Sequence, residues 1–86
     1  MNLTDIAAEA RRLGTQAERT MAAQAALLQE ADGRPSLPGV PSVAASAAHL
    51  GRIATNERAA SWDAGQALVE AELVAGVPVG STLAAF

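Results

Sequence analysis

The side chains that could carry chemistry are few: one histidine, His49, and a set of carboxylates on the same C-terminal stretch, Glu57, Asp63, Glu70 and Glu72. A zinc site needs three or four ligands, and His49 has no cysteine beside it and no second histidine one helical turn away. No metal ligand set is expected, and His49 reads as a polar residue near the start of a surface helix. Asp63 and Glu70 stand two turns apart on one helical face. Paired-acid catalysis would want them in a cleft with one carboxyl held protonated; on an outward stripe they are expected to be solvated. Ser61 has neither a glycine elbow nor a nearby histidine, and Gly76 and Gly80 bracket a proline instead of opening a helix, so neither a nucleophile nor a phosphate loop is read here. The expectation is a chain with no catalytic residues, no cofactor and no small-molecule substrate.

Charge and composition narrow the classes further. The net charge is -3, all six positive side chains are arginine, and no basic run exists, so the electrostatic footprint for nucleic acid or anionic lipid is missing. The chain has no cysteine, which removes disulfides and thiolate sites. Alanine excess with arginine in place of lysine is the compositional drift of GC-rich bacterial genomes. No run of about 18 uncharged apolar residues occurs, so no membrane span is predicted. The start, Met1-Asn2-Leu3-Thr4-Asp5, lacks the basic and apolar segments of a secretory signal, which predicts a cytoplasmic protein or one exported by a non-classical route.

What must position these residues is helical. Leu3, Ile6, Ala10, Leu13, Ala17, Met21, Ala25 and Leu28 recur at intervals of three and four, predicting a helix over about residues 3–31 with Asn2 as its cap. Gly33 and Pro35 would end it, and prolines at 35, 38 and 41 make residues 32–42 a stiff connector. Ser42 is placed to cap a second helix over about 43–75, ended by Gly76 and Pro78. Its inner side reads Leu50, Ala54, Ala64, Leu68, Ala71 and Ala75, and alanine-lined faces allow close approach, with Leu13, Met21 and Leu28 filling the gaps. The predicted fold is all-α, one antiparallel two-helix hairpin with a proline-rich connector and a short apolar tail over 76–86.

Alanine buries little area, and the two aromatics are Trp62 and Phe86, so a chain of 86 residues has little with which to build a core. Trp62, Val69 and Leu73 form a second apolar stripe, displaced from the hairpin face. Trp62 is open to two readings, a core anchor or an interface hot spot, and the two merge if a partner completes the core. The tail, with Leu83 and Phe86, either folds back over Trp62 and Leu73 or docks on another protein. Trp62, Val69, Leu73, Leu83 and Phe86 are therefore the expected partner-binding residues, for a protein partner or for self-association.

Two antiparallel helices, a turn rich in proline and glycine and a small core resemble the small helical-hairpin proteins of bacterial type VII secretion, including the Trp-x-Gly and PE-like families. The Trp-x-Gly motif lies in the turn of those proteins, whereas Trp62-Asp63-Ala64-Gly65 falls inside the second helix here. The resemblance implies a non-enzymatic protein that pairs with a helical partner. The stretch Val69-Glu70-Ala71-Glu72-Leu73-Val74-Ala75 also looks like the C-terminal helix of type III secretion inner-rod or needle subunits. A third reading is an accessory subunit that docks to a larger complex through its tail.

Overall fold

A computed structural model describes residues 2–31 and 42–86. The protein is an all-α helical hairpin, with helices α1 (Leu3–Ala31), α2 (Val43–Ala75) and a single-turn α3 (Ser81–Ala84) and, among the described residues, no strand. The connector expected at 32–42, with its glycine stop at Gly33, lies outside the described residues apart from Ser42.

The helix ends follow local rules. Asn2 Oδ1 accepts the Asp5 amide at 2.9 Å and Ser42 Oγ accepts the Ala45 amide at 3.0 Å, each satisfying an amide that has no partner within its helix. At the end of α2, Gly76 takes the left-handed conformation, φ 74°. The Gly76 N–H donates to the Leu73 carbonyl and the Val77 N–H to the Glu72 carbonyl, both at 3.2 Å, so the last carbonyls of the helix are met and Pro78 follows.

The helices run antiparallel in a register fixed by side chains across the seam. Thr20 donates to Glu57 Oε1 at 2.6 Å, Gly14 faces Ser61, and Gly51 lies under the Gln24 amide. The seam repeats every seven residues, through Leu3, Ala10, Ala17, Gln24 and Ala31 on α1 and Ala47, Ala54, Ser61 and Leu68 on α2. A seven-residue repeat keeps one stripe on the partner when two helices wrap gently about each other.

Beyond Met21 this differs from the expected inner face. The seam continues through Gln24 and Leu27, leaving Ala25 exposed and Leu28 with 53% of its surface in solvent. Reading only apolar residues moved the stripe one position off, because a glutamine belongs to the seam where glycine opposes it. Ala75 is also exposed, since the seam has run out by that turn.

The buried apolar residues are Ala7, Ala10, Ala17, Ala47, Ala54 and Leu68, five alanines and one leucine. Trp62 is not a core anchor. It is 68% exposed, and Leu73, Val74, Val79, Leu83 and Phe86 are exposed with it. The core is thin because close helix approach has been achieved with methyl groups, which leaves no gap between α1 and α2 for an indole.

Candidate functional site: an apolar groove walled by both helices and the tail

One side of the hairpin carries an open groove of about 760 Å³. Met21 and Glu18 stand on its α1 wall, Arg58, Trp62 and Val69 on its α2 wall, and Val79 and Leu83 close one end. Its floor is small: Gly14, Ala17 and Ser61 between the helices, with Gly65 beside Trp62. A Cβ added at Gly65 meets nothing within 4 Å, so the groove is open above it. Gly65→Ala is therefore expected to stabilise the hairpin by about 1 kcal/mol, the ordinary gain of alanine over glycine inside a helix, read as a higher melting temperature by circular dichroism.

The tail is held in place by a residue that sequence reasoning passed over. Glu72 is 1% exposed. Its Oε1 accepts the Gly80 amide at 3.1 Å, and its Oε2 accepts the Thr82 amide at 3.1 Å and the Thr82 hydroxyl at 2.9 Å. The Gly80 amide first, then the Thr82 amide, holds the carboxyl below its usual range; burial opposes this and the Thr82 hydroxyl assists. The carboxylate thus caps the turn that starts α3, and α3 packs on α1. At the chain end the Arg11 guanidinium lies 5.5 Å from the Phe86 ring centroid, a second tie worth about 0.5–1 kcal/mol at an exposed site. The signal available in the sequence was Glu72 one turn before Gly76, with Gly80 and Thr82 a short return away. It is meaningful only once the chain is known to reverse at Gly76.

Of the five residues expected to bind a partner, the groove brings together Trp62, Val69 and Leu83. Leu73 is exposed on α2 outside it, and Phe86 lies round the edge of α1 against Arg11, Arg12 and Thr15. The tail folds back, onto α1 and Glu72, and leaves Trp62 and Leu73 uncovered. Asp63 and Glu70 are both exposed and do not line the groove. Glu57 instead turns into the seam, where its Oε2 is buried with no hydrogen-bond partner among the described residues. His49 is exposed on α2, beyond the end of the groove at Thr55.

Chemically, the groove offers apolar contact and two wall charges, with its one buried carboxylate already engaged by three donors. Among the described residues no three metal-ligating side chains come together, and no described helix is long and apolar enough to cross a membrane. The exposed Arg12–Glu9 pair, in which Arg12 Nε donates to Glu9 at 3.0 Å, lies on α1 outside the groove. Arg12 holds the Glu9 carboxyl below its usual range, but a solvent-exposed pair of this kind contributes little to stability.

Searches of family models, of curated proteins and of solved structures found no match to this chain.

Proposed function

We propose that this chain is a non-enzymatic helical interaction protein whose groove, centred on Trp62, receives a helical protein partner. The observation that carries the reading is the inversion of its core, in which alanines are buried while Trp62, Leu73, Val79 and Leu83 face solvent. Exposed apolar surface with a tryptophan at its centre is the composition of an interface hot spot. The shape of the groove, small residues on the floor and large ones on the walls, suits a helix laid along it.

A place among the secretion-associated hairpins, of the type VII kind, is part of the same proposal and rests on architecture alone. It is preferred to a rod or needle subunit because α2 stops at a left-handed Gly76 followed by Pro78, where a polymerising helix would run on. It is preferred to docking through a free tail because Glu72 holds the tail against the hairpin.

The test is the mass in solution by light scattering, alone and with the product of the neighbouring gene, beside circular dichroism of the same samples. A complex whose melting temperature rises with concentration is expected. Trp62→Ala should weaken it by about thirtyfold or more while leaving the helical signal of the hairpin intact, since the indole is not part of the core. A stable hairpin that remains a monomer under both conditions would remove the proposal.

A further inference from the structure

The walls of the groove follow the same seven-residue repeat as the seam. Thr55, Trp62 and Val69 each come directly after a seam residue of α2, Ala54, Ser61 and Leu68, and on α1 Glu18 comes directly after Ala17. With Ala17 and Ala54 at position d of a heptad abcdefg, these wall residues are all e, while Thr20 and Glu57, bonded on the far side of the seam, are both g. Gly14, Met21, Arg58 and Gly65, all at position a, also line the groove. Thr55, Arg58, Trp62, Gly65 and Val69 thus recur at intervals of three and four, so α2 carries a second stripe of the kind that packs on a neighbouring helix, beside the one that packs on α1.

The tail already begins a third layer on these stripes, since Val79 and Leu83 close one end of the groove and α3 packs on α1. From Thr55 to Val69 the α2 wall rises about 21 Å at 1.5 Å per residue, room for about four turns of a partner helix. One charge stands on each wall of that run, Glu18 on α1 and Arg58 on α2, and the contacts of Gly14 with Ser61 and of Thr20 with Glu57 set them at the same height. Both are exposed, and among the described residues neither has an ion-pair or hydrogen-bond partner.

A helix basic on both flanks would attract Glu18 and repel Arg58, and one acidic on both flanks would do the reverse. A helix with one flank of each sign satisfies both walls in one direction only, because turning it end for end exchanges its flanks. The e side of a helix meets the g side of a parallel neighbour and the e side of an antiparallel one, as the pairing of Thr20 with Glu57 shows for g with g. A helix parallel to α1 therefore lays its g flank on α1 and its e flank on α2.

We infer that the groove takes an amphipathic partner helix of about four turns with one acidic and one basic flank, and that Glu18 and Arg58 set the direction in which it lies. Acid at e with base at g places it parallel to α1; the opposite pattern places it parallel to α2. The inference rests on the reading of the groove as a docking surface and adds the chemistry and direction of its occupant.

The experiment titrates the Trp62 fluorescence of the full chain with three synthetic peptides of about 21 residues, long enough to form helix. All carry leucine at a and d; one has glutamate at e and lysine at g, one lysine at both and one glutamate at both. The parent is expected to bind the mixed peptide about fivefold or more tightly than either of the others. Glu18→Arg makes both walls basic and should move the preference to the glutamate-flanked peptide, Arg58→Glu should move it to the lysine-flanked one, and the double reversal should return it to the mixed peptide. Comparing each peptide across the four chains cancels its own tendency to self-associate, and unchanged circular dichroism of the chains separates binding from folding. Direction is read from a nitroxide on the N-terminus of the mixed peptide, which should broaden the NMR signals of Val79 and Leu83 in the parent and those of Met21 and Thr55 in the doubly reversed chain. If the parent binds all three peptides alike, or the label stays at the same end in both chains, the walls do not select and this inference falls while the docking reading stands. If no peptide binds, this inference falls whatever the neighbouring gene's product does, and the docking reading is decided by the light scattering.

Discussion

An Ala54→Leu chain is expected to lose most of its helical circular dichroism at temperatures where the parent is folded. Ala54 is 3% exposed in the seam, one seven-residue step from Ala47 and one from Ser61, at a height where α1 offers no gap. Extra methylenes at such a position push the helices apart at a cost of about 1–3 kcal/mol. In a large domain that would lower the melting temperature and no more. Here the buried apolar set is five alanines and Leu68, so separation at one level also weakens the contacts one turn away, including the Thr20–Glu57 hydrogen bond. Leu68→Ala reaches the same core from the other direction, leaving a cavity, and is expected to cost about 2–5 kcal/mol. Thermal melts of the two variants beside Trp62→Ala make the comparison. If Ala54→Leu melts with the parent, the helices are not in close alanine contact and the seam is not where the hairpin is held.

The contrast between Ala54 and Trp62 also shows what could be read from the sequence. The caps at Asn2, Ser42 and Gly76 were legible because each depends on residues within one turn. The hairpin was legible from its two apolar periodicities, as far as Met21. The reading slipped at Gln24 because the seam position there is set by the opposing Gly51, which no property of α1 reveals. Trp62 could not be settled in advance: its spacing separated it from the hairpin face, but whether another element would cover it depended on the path of the tail. That path depends on Glu72, which has the same composition signal as the solvated Glu70 two residues earlier. Burial distinguishes the two, and burial there is a property of the chain reversal at Gly76.

Glu72 gives the tail its own acid transition. Its carboxyl is held below the usual range by the Gly80 and Thr82 amides, so the carboxylate's contribution is complete above the ordinary glutamate pKa of about 4.3 and is lost as pH falls through the lower folded value. Acidification is therefore expected to release α3 before the long helices melt, since their ends are capped by the neutral side chains of Asn2 and Ser42 and by the backbone at Gly76. Amide exchange followed by NMR reports it as a protection factor, the rate relative to an unstructured amide at the same pH: protection of the Gly80 and Thr82 amides should fall roughly tenfold or more on the acid side, while amides in the middle of α2 stay protected. In Glu72→Gln one of the two acceptor oxygens becomes a donor facing an N–H group, so these amides should have low protection at neutral pH too and lose their acid step. Val79 and Leu83 leave the groove with the tail, and the fluorescence of Trp62 on the facing wall is expected to change in step. Should Gly80 and Thr82 instead lose protection together with α2 in both proteins, the tail would be part of the hairpin's single cooperative unit and Glu72 would have no separate hold on it.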